Sequence, residues 1–354
     1  MKTALIQTRT PATHAAALAH VLPLVAEAAA GGARFVATPE GTNVLQKDRT
    51  VLMPMLTTLD ADPVVAGLRA AASDHGVWLL IGSALVKRED GKAANRSVLV
   101  GPNGKIAATY DKLHMFDVDL PTGERSRESE AYEPGDRAVT ARAGELKLGL
   151  TVCYDLRFPA LYRALALAGA EVMTIPSAFT RPTGAAHWEV LMRARALETG
   201  SFVLAPAQGG RHEDGRGTYG HSVAVAPWGV VIAAFDHDEP GVLFADLDLA
   251  AAAKARAAIP ALANARAFRA PEPLADAPSE AQVVARSNTP SSVISSMASR
   301  GGSARRATTT TSMPRACWNA RSAAPRRCAS RSWLRRWPAC AGPPRTRPPA
   351  RPRR

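Results

Sequence analysis

Cysteine is scarce in this chain. Four occur in 354 residues, and Cys153 is the only one before residue 281; Cys317, Cys328 and Cys340 all follow. A lone thiol cannot close a disulfide within the first 280 residues, which fits a reducing compartment. Long apolar runs are missing as well. No stretch approaches the roughly 18 apolar residues of a membrane span. The apolar run after Met1 is too short for a secretory signal and is interrupted by Arg9 and Pro11. A cytoplasmic protein is therefore expected. No internal repeat of roughly 20–50 residues is present. The eight histidines show no metal-ligand spacing, so no metal is expected.

Acidic residues and lysine also vanish, but only at one end. After residue 280 there are 16 Arg and no Lys, Asp or Glu, and after Phe268 there is no Phe or Tyr. The first 280 residues hold the other 28 basic groups against all 31 acidic ones, a net of −3, although the whole chain carries +13. The basic charge thus belongs to the end of the chain, and a nucleic-acid reading of the whole protein loses its support. We divide the sequence into a body, 1–268, and a Pro-, Ala-, Ser- and Arg-rich tail, 269–354, expected to be disordered. Two readings of the tail stay open. A GC-rich gene read in a shifted frame, or a non-native extension, gives such a skew; so does a genuine anion-binding arm.

The body alternates strands and helices. Strands are expected at 3–7, 34–38, 77–85, 146–152, 171–176, 202–205 and 241–247. Helices are expected at 14–30, 64–75, 159–168 and 186–199, with one more after the last strand, to about residue 259. Gly31-Gly32 and Gly76 supply stops, and Pro159 supplies a start. Turn chemistry at Gly101-Pro102-Asn103-Gly104 and Pro227-Trp228-Gly229 predicts two hairpins. The hairpins make the sheet mixed, and the pattern suggests an α/β protein in which two sheets face each other between helices.

Three residues at strand ends carry the chemistry. Taken alone, Cys153 is a small buried apolar residue. Its position, between a strand and a nearby helix start, is where a nucleophile belongs. A helix N-terminus would favour the thiolate, and the Tyr154 N–H is placed to bind an oxyanion. Glu40 directly follows an apolar strand, so desolvation is expected to raise its pKa and make it a base near neutral pH. Lys112, in Tyr110-Asp111-Lys112-Leu113-His114, follows a hairpin strand; buried and paired with Glu40, it would stay charged and polarise a carbonyl.

The segments Phe35-Val36-Ala37-Thr38-Pro39-Glu40, Tyr110-Asp111-Lys112-Leu113-His114 and Gly149 through Pro159 together resemble the nitrilase superfamily of carbon–nitrogen hydrolases. The resemblance covers about residues 1–268. It implies a four-layer α-β-β-α sandwich, a homodimer and no cofactor. It also implies Glu40 as general base, Lys112 as oxyanion stabiliser and Cys153 as nucleophile, passing through a thioester. A second, supporting glutamate falls on Glu128, with Glu124 and Glu130 as competitors. The segments His114 to Pro121, Ala186 to Leu191, Tyr219 to Ser222 and Ala205 to His212 resemble the branch holding deaminated glutathione amidase and omega-amidase. That implies an amidase for a small acidic 2-oxo amide.

Arg157 is then a candidate for the substrate carboxylate; the alternative is a salt bridge with Asp155 or Glu198. His187 is expected to shape the pocket or cap its helix, and His221 to be structural. The competing readings are an omega-amidase acting on 2-oxoglutaramate, a carbamoyl hydrolase, an N-acyltransferase, a pseudoenzyme, and a nucleic-acid binder acting through the tail.

Overall fold

The computed structural model describes residues 1–121, 123–272 and 274. The expected tail beyond residue 274, and the nucleic-acid reading built on it, lie outside the described residues.

In chain order the elements are β1 (Lys2–Gln7), α1 (His14–Ala30), β2 (Phe35–Ala37), α2 (Arg49–Met55), α3 (Pro63–His75), β3 (Trp78–Lys87), β4 (Ala93–Val100), β5 (Ile106–Asp111), β6 (Asp117–Asp119), β7 (Arg125–Arg127), β8 (Val139–Ala143) and β9 (Leu146–Leu150). There follow α4 (Pro159–Leu167), β10 (Val172–Thr174), α5 (Arg181–Thr199), β11 (Phe202–Ala205), β12 (Gly209–Arg211), β13 (Gly217–Tyr219), β14 (Val223–Val225), β15 (Val231–Ala234), β16 (Gly241–Asp246) and α6 (Ala250–Ala258).

Twelve of these strands make two sheets of six. The first runs β16-β1-β2-β3-β4-β5 and the second β15-β14-β11-β10-β9-β8. Each has three parallel strands at its centre, β1-β2-β3 and β9-β10-β11, with antiparallel partners outside them. Both expected hairpins form, as β4-β5 and β14-β15.

The alternation of side chains shows the layering. On the first sheet Ala4, Ile6, Val36, Leu79, Ile81 and Val98 pack with Val21, Val25, Val64 and Leu68 of α1 and α3. The intervening Leu5, Phe35, Ala37, Leu80, Leu99 and Tyr110 join the core of the second sheet, with Leu148, Leu150 and Val172. That core also takes in Leu161, Tyr162, Leu165, Met192 and Ala196 of α4 and α5. The order is therefore helix, sheet, sheet, helix, the expected four-layer sandwich. Helix α1 buries Ala17, Val21, Val25 and Ala28, a three-and-four spacing that keeps one face on the sheet.

One boundary needs correction, and one helix was not anticipated. Helix α5 begins at Arg181, not residue 186, because Thr180 caps it and Pro182 sits in its first turn. The segment 49–55 is helical, capped by Asp48. Between β9 and α4, Cys153–Arg157 forms a short 3-10 turn, and α4 starts at Pro159, as expected. No helix among the described residues is long and apolar enough to cross a membrane.

Candidate active site

Strand ends gather the three chemical groups. Glu40 follows β2, Lys112 follows β5, and Cys153 follows β9, and all three line one cavity of about 860 Å³. Glu40 and Cys153 are each 8% exposed and Lys112 is 2% exposed. Strand C-termini are the usual ligand side of an α/β sheet, because chain reversals leave a crevice there.

Lys112 is clamped by two carboxylates. Its Nζ donates to Glu40 Oε1 at 3.0 Å and to Glu128 Oε1 and Oε2 at 2.9 and 2.8 Å. Of the three glutamates weighed from the sequence, Glu128 is the one brought to Lys112. Glu130 pairs with Arg49 on the surface, and Glu124 lies on the cavity wall. Glu128 is fixed further by the Phe116 N–H, which donates to its Oε2 at 2.6 Å.

All three oxygens of Glu40 accept hydrogen bonds. Oε1 accepts from Asn95 Nδ2 at 2.8 Å, Oε2 accepts from the Ala178 N–H at 2.9 Å, and its backbone carbonyl accepts from Gln208 Nε2 at 2.9 Å. Burial pushes the Glu40 carboxyl up, yet the Lys112 charge and hydrogen bonding from Cys153, Lys112 and Asn95 outweigh it and hold it below the usual carboxylate range. The sequence had suggested the opposite direction, from desolvation alone; the buried ammonium reverses it. Lys112 is pushed well above an ordinary lysine: burial opposes the charge, but Glu128 and Glu40 prevail.

The expected thiolate is also reversed. Burial, first, and the Glu40 charge, second, push the Cys153 thiol well above its ordinary value, against the pull of Lys112. The helix that follows Cys153, α4, begins six residues later, so it does not start at the thiol. The resting site thus holds an ionised Glu40, a charged Lys112 and a neutral thiol. Cys153 has φ +49°, in the left-handed region that a non-glycine residue adopts only when the surroundings impose it. The sharp turn carries its side chain into the cavity. The next residue's N–H, that of Tyr154, makes no hydrogen bond among the described residues.

Asp155 anchors that turn. It is fully buried and accepts from the Tyr110 hydroxyl at 2.7 Å, the Val152 N–H at 2.9 Å and the His114 N–H at 3.1 Å, with His114 Nδ1 2.7 Å away. Glu198 pairs instead with Arg195. Arg157 therefore makes neither of the salt bridges considered for it. Its guanidinium lies 5.9 Å from the Tyr154 ring centre and 5.6 Å from that of Phe179, on the cavity wall. No carboxylate among the described residues is within ion-pair distance of it. His187 does not cap α5, nor does it line the cavity; it is exposed and touches Arg157 through Nδ1 at 3.3 Å. His221 stacks on Tyr219, and its carbonyl accepts from Trp188 Nε1.

Sequence reasoning missed Asn95. Its Nδ2 spans both carboxylates, 2.8 Å from Glu40 and 3.2 Å from Glu128. The signal was an asparagine inside the apolar strand β4, where asparagine is depleted. It also missed the electrostatics of the cavity. Besides Lys112 the wall holds Lys47, Arg49, Arg125, Arg127, Arg157 and Arg216, against Asp48 and Glu124 besides the glutamate pair. A body of net negative charge has turned a basic surface toward this space, which favours an anionic ligand.

Two facing six-stranded sheets bring a thiol, a glutamate and a lysine to one cavity, an arrangement suited to a hydrolase. The family model described as Carbon-nitrogen hydrolase matches residues 2–257, and the chain belongs to that family. It is 42% identical over 233 residues to the deaminated glutathione amidase of Homo sapiens, covering 64% of this chain and 70% of that protein. Among solved structures it is similar to the C. elegans NitFhit protein, with TM-score 0.70 and 31% identity, covering 75% of this chain and 65% of that one. It is also similar to an amidase variant from Nesterenkonia sp. AN1 that carries the acetamide moiety of fluoroacetamide on its active-site cysteine. There the TM-score is 0.64 and the identity 26%, covering 75% of this chain and 94% of that one.

Proposed function

We propose that this hydrolase cleaves the amide bond of a small acidic 2-oxo amide, deaminated glutathione first among them, through a thioester on Cys153. The observation that carries the reading is the Lys112 ammonium held between Glu40 and Glu128 beside a buried thiol. The name borne by the human relative supports the substrate, and the covalent addition of the acetamide moiety of fluoroacetamide to the active-site cysteine of the Nesterenkonia amidase supports a reactive thiol.

In this reading Glu40 takes the thiol proton as sulfur attacks the amide carbon. Because the resting thiol is neutral, deprotonation and attack are coupled. The oxyanion forms against the Lys112 ammonium, which Glu40 and Glu128 hold in place, and against the Tyr154 N–H. Each such donor contributes about 3 kcal/mol. Glu40 returns the proton to the leaving nitrogen, the C–N bond breaks, and a thioester remains. Glu40 then takes a proton from water, whose oxygen attacks the thioester; the carboxylic acid leaves and the thiol is regenerated. Glu128 and Asn95 position Lys112 and Glu40.

Arg157, without an acidic partner among the described residues, binds the substrate carboxylate bidentately, with His187 behind it. The protein works as a homodimer in this proposal. Val190 and Leu197 of α5, with Trp228 and Val230 at the β14-β15 turn, are exposed apolar side chains suited to a second copy. A cytoplasmic setting suits a body with one buried thiol.

The test is a panel of deaminated glutathione, 2-oxoglutaramate and simple aliphatic amides. Turnover is expected in that order of kcat/KM. Preference for 2-oxoglutaramate would move the assignment to an omega-amidase, and inactivity on all three would remove the amidase reading.

A further inference from the structure

Gln208 has no exposed surface, so its side-chain amide must find partners for its oxygen and for both N–H bonds inside the protein. It finds all of them. Oε1 accepts from the Thr8 hydroxyl at 3.0 Å and from the Thr10 N–H at 3.0 Å. Nε2 donates to the Thr10 hydroxyl oxygen at 2.7 Å and to the Glu40 backbone carbonyl at 2.9 Å. A backbone N–H only donates and a carbonyl only accepts, so the amide has one possible orientation. The hydroxyl protons follow from it. Thr8 gives its proton to Gln208, and Thr10 gives its own to Thr8 Oγ1, 3.1 Å away.

This network joins the two sheets. Thr8 and Thr10 follow β1 and Glu40 follows β2, in the first sheet, whereas Gln208 follows β11 in the second. The Gln208 N–H also donates to the Ser177 carbonyl at 2.9 Å. The neighbours of Ser177 hold the reacting groups. The Pro176 carbonyl accepts from the Cys153 N–H at 2.9 Å, and the Ala178 N–H donates to Glu40 Oε2 at 2.9 Å. Gln208 thus holds the backbone of Glu40 directly, and reaches the Glu40 carboxylate and Cys153 through Ser177. Neither it nor Thr8 nor Thr10 is among the residues that line the cavity, so none of them meets substrate.

We propose that Gln208 is a positioning residue, locked by Thr8 and Thr10, which sets the Glu40 carboxylate against the Cys153 thiol across the sandwich. Its effect falls on the turnover step and not on binding. This rests on the role of Glu40 as base given above and deepens it.

The experiment measures kcat and KM against pH for wild type, Gln208→Glu and Thr10→Val on the best amide of the panel above, each rate taken below the onset of melting at that pH. Gln208→Glu keeps the side-chain shape. Ionised, it sets an acceptor against the Glu40 carbonyl; protonated, its O–H donates there again while the Thr10 hydroxyl turns to donate to it. Near pH 8.5 its kcat is expected to be about tenfold or more below wild type, with KM within about twofold, because small misplacements of reacting groups are costly. Its kcat relative to wild type is then expected to rise about fivefold or more as pH falls to about 6, where the buried carboxyl regains its proton. A merely structural role gives no such return. Thr10→Val touches neither Glu40 nor the cavity, yet takes one acceptor from Nε2, and is expected to lower kcat about threefold with KM within about twofold. It decides alone if Gln208→Glu does not fold. A loss in Gln208→Glu that ignores pH, wild-type kcat in Thr10→Val, or an effect confined to KM would each overturn the positioning role while leaving the amidase reading intact. Wild-type inactivity on every amide would remove that reading, and this inference with it.

Discussion

The Tyr110 hydroxyl donates to Asp155 Oδ2 at 2.7 Å, and this bond joins the strand that delivers Lys112 to the turn that delivers Cys153. The two residues come from different sheets, and both are buried. The geometry of the thiol relative to the ammonium therefore depends on a side-chain bond across the sandwich. Tyr110→Phe removes one partner from a buried carboxylate, a loss of about 1–3 kcal/mol. Urea titration should show the drop in midpoint, and kcat should fall along with it while KM changes less.

Cys153→Ala should abolish turnover with the circular dichroism and melting temperature close to wild type, because a small buried thiol is replaced by a small apolar group. Intact-mass analysis of wild type quenched during turnover should show the acyl group on the protein, and the same quench of Cys153→Ala should not. Substantial residual hydrolysis by Cys153→Ala would remove the nucleophile assignment.

Lys112→Met should be unstable as well as inactive. It leaves Glu40 and Glu128 buried without their shared cation, and breaking a buried pair in this way costs about 3–5 kcal/mol. The double variant with Glu128→Gln should recover part of that stability and none of the activity. Thermal denaturation of the two proteins decides the point.

The pH profile follows from the directions of the shifts. Glu40 is held below the ordinary carboxylate range, so its contribution to stability is present above that range and is lost as pH falls through the lowered value. Lys112 is raised, so its contribution is present below the ordinary lysine value and is lost only as pH rises through the higher one. A plot of kcat/KM should be flat between the two, with an acid limb below about pH 4.5, the ordinary glutamate value. An acid limb near pH 6–7 would contradict the ionised resting state of Glu40.

Gly82→Ala should disrupt the sandwich near the site. A Cβ there would lie 1.7 Å from the Thr38 carbonyl oxygen and 2.4 Å from Pro176 Cβ, so backbone has to move. Overpacking of this kind costs about 1–3 kcal/mol or more. Thr38 leads directly to Glu40, so activity should fall further than stability alone explains. A fully active Gly82→Ala protein would contradict the close approach.

Much of this was legible in the chain. Helix α1 could be bounded at both ends, because Gly31 and Gly32 stop an alanine-rich period. Strand β3 announced its central place by being apolar on both faces. Glu40, Lys112 and Cys153 stood out because each follows an apolar strand. The rest depended on contacts between segments far apart in sequence. The direction of the Glu40 shift came from Lys112, 72 positions away, and could not be read from the strand that precedes Glu40. The start of α5 was expected at residue 186, but with Thr180 as cap Pro182 and Gly184 stand in its first turn. Tyr132 and Arg216 carry no signature of their own, and Asn95 only its unusual place in an apolar strand; sheet pairing and loop folding bring them to the cavity.

The protonated sulfur at Cys153 has a consequence for durability. Peroxide attacks thiolates, so a buried thiol whose proton stays in place between turnovers is a poor target for oxidation to sulfenic acid. In the proposed mechanism, the burial that delays attack until an amide carbonyl arrives also makes Cys153 a poorer target for oxidation than an exposed thiolate.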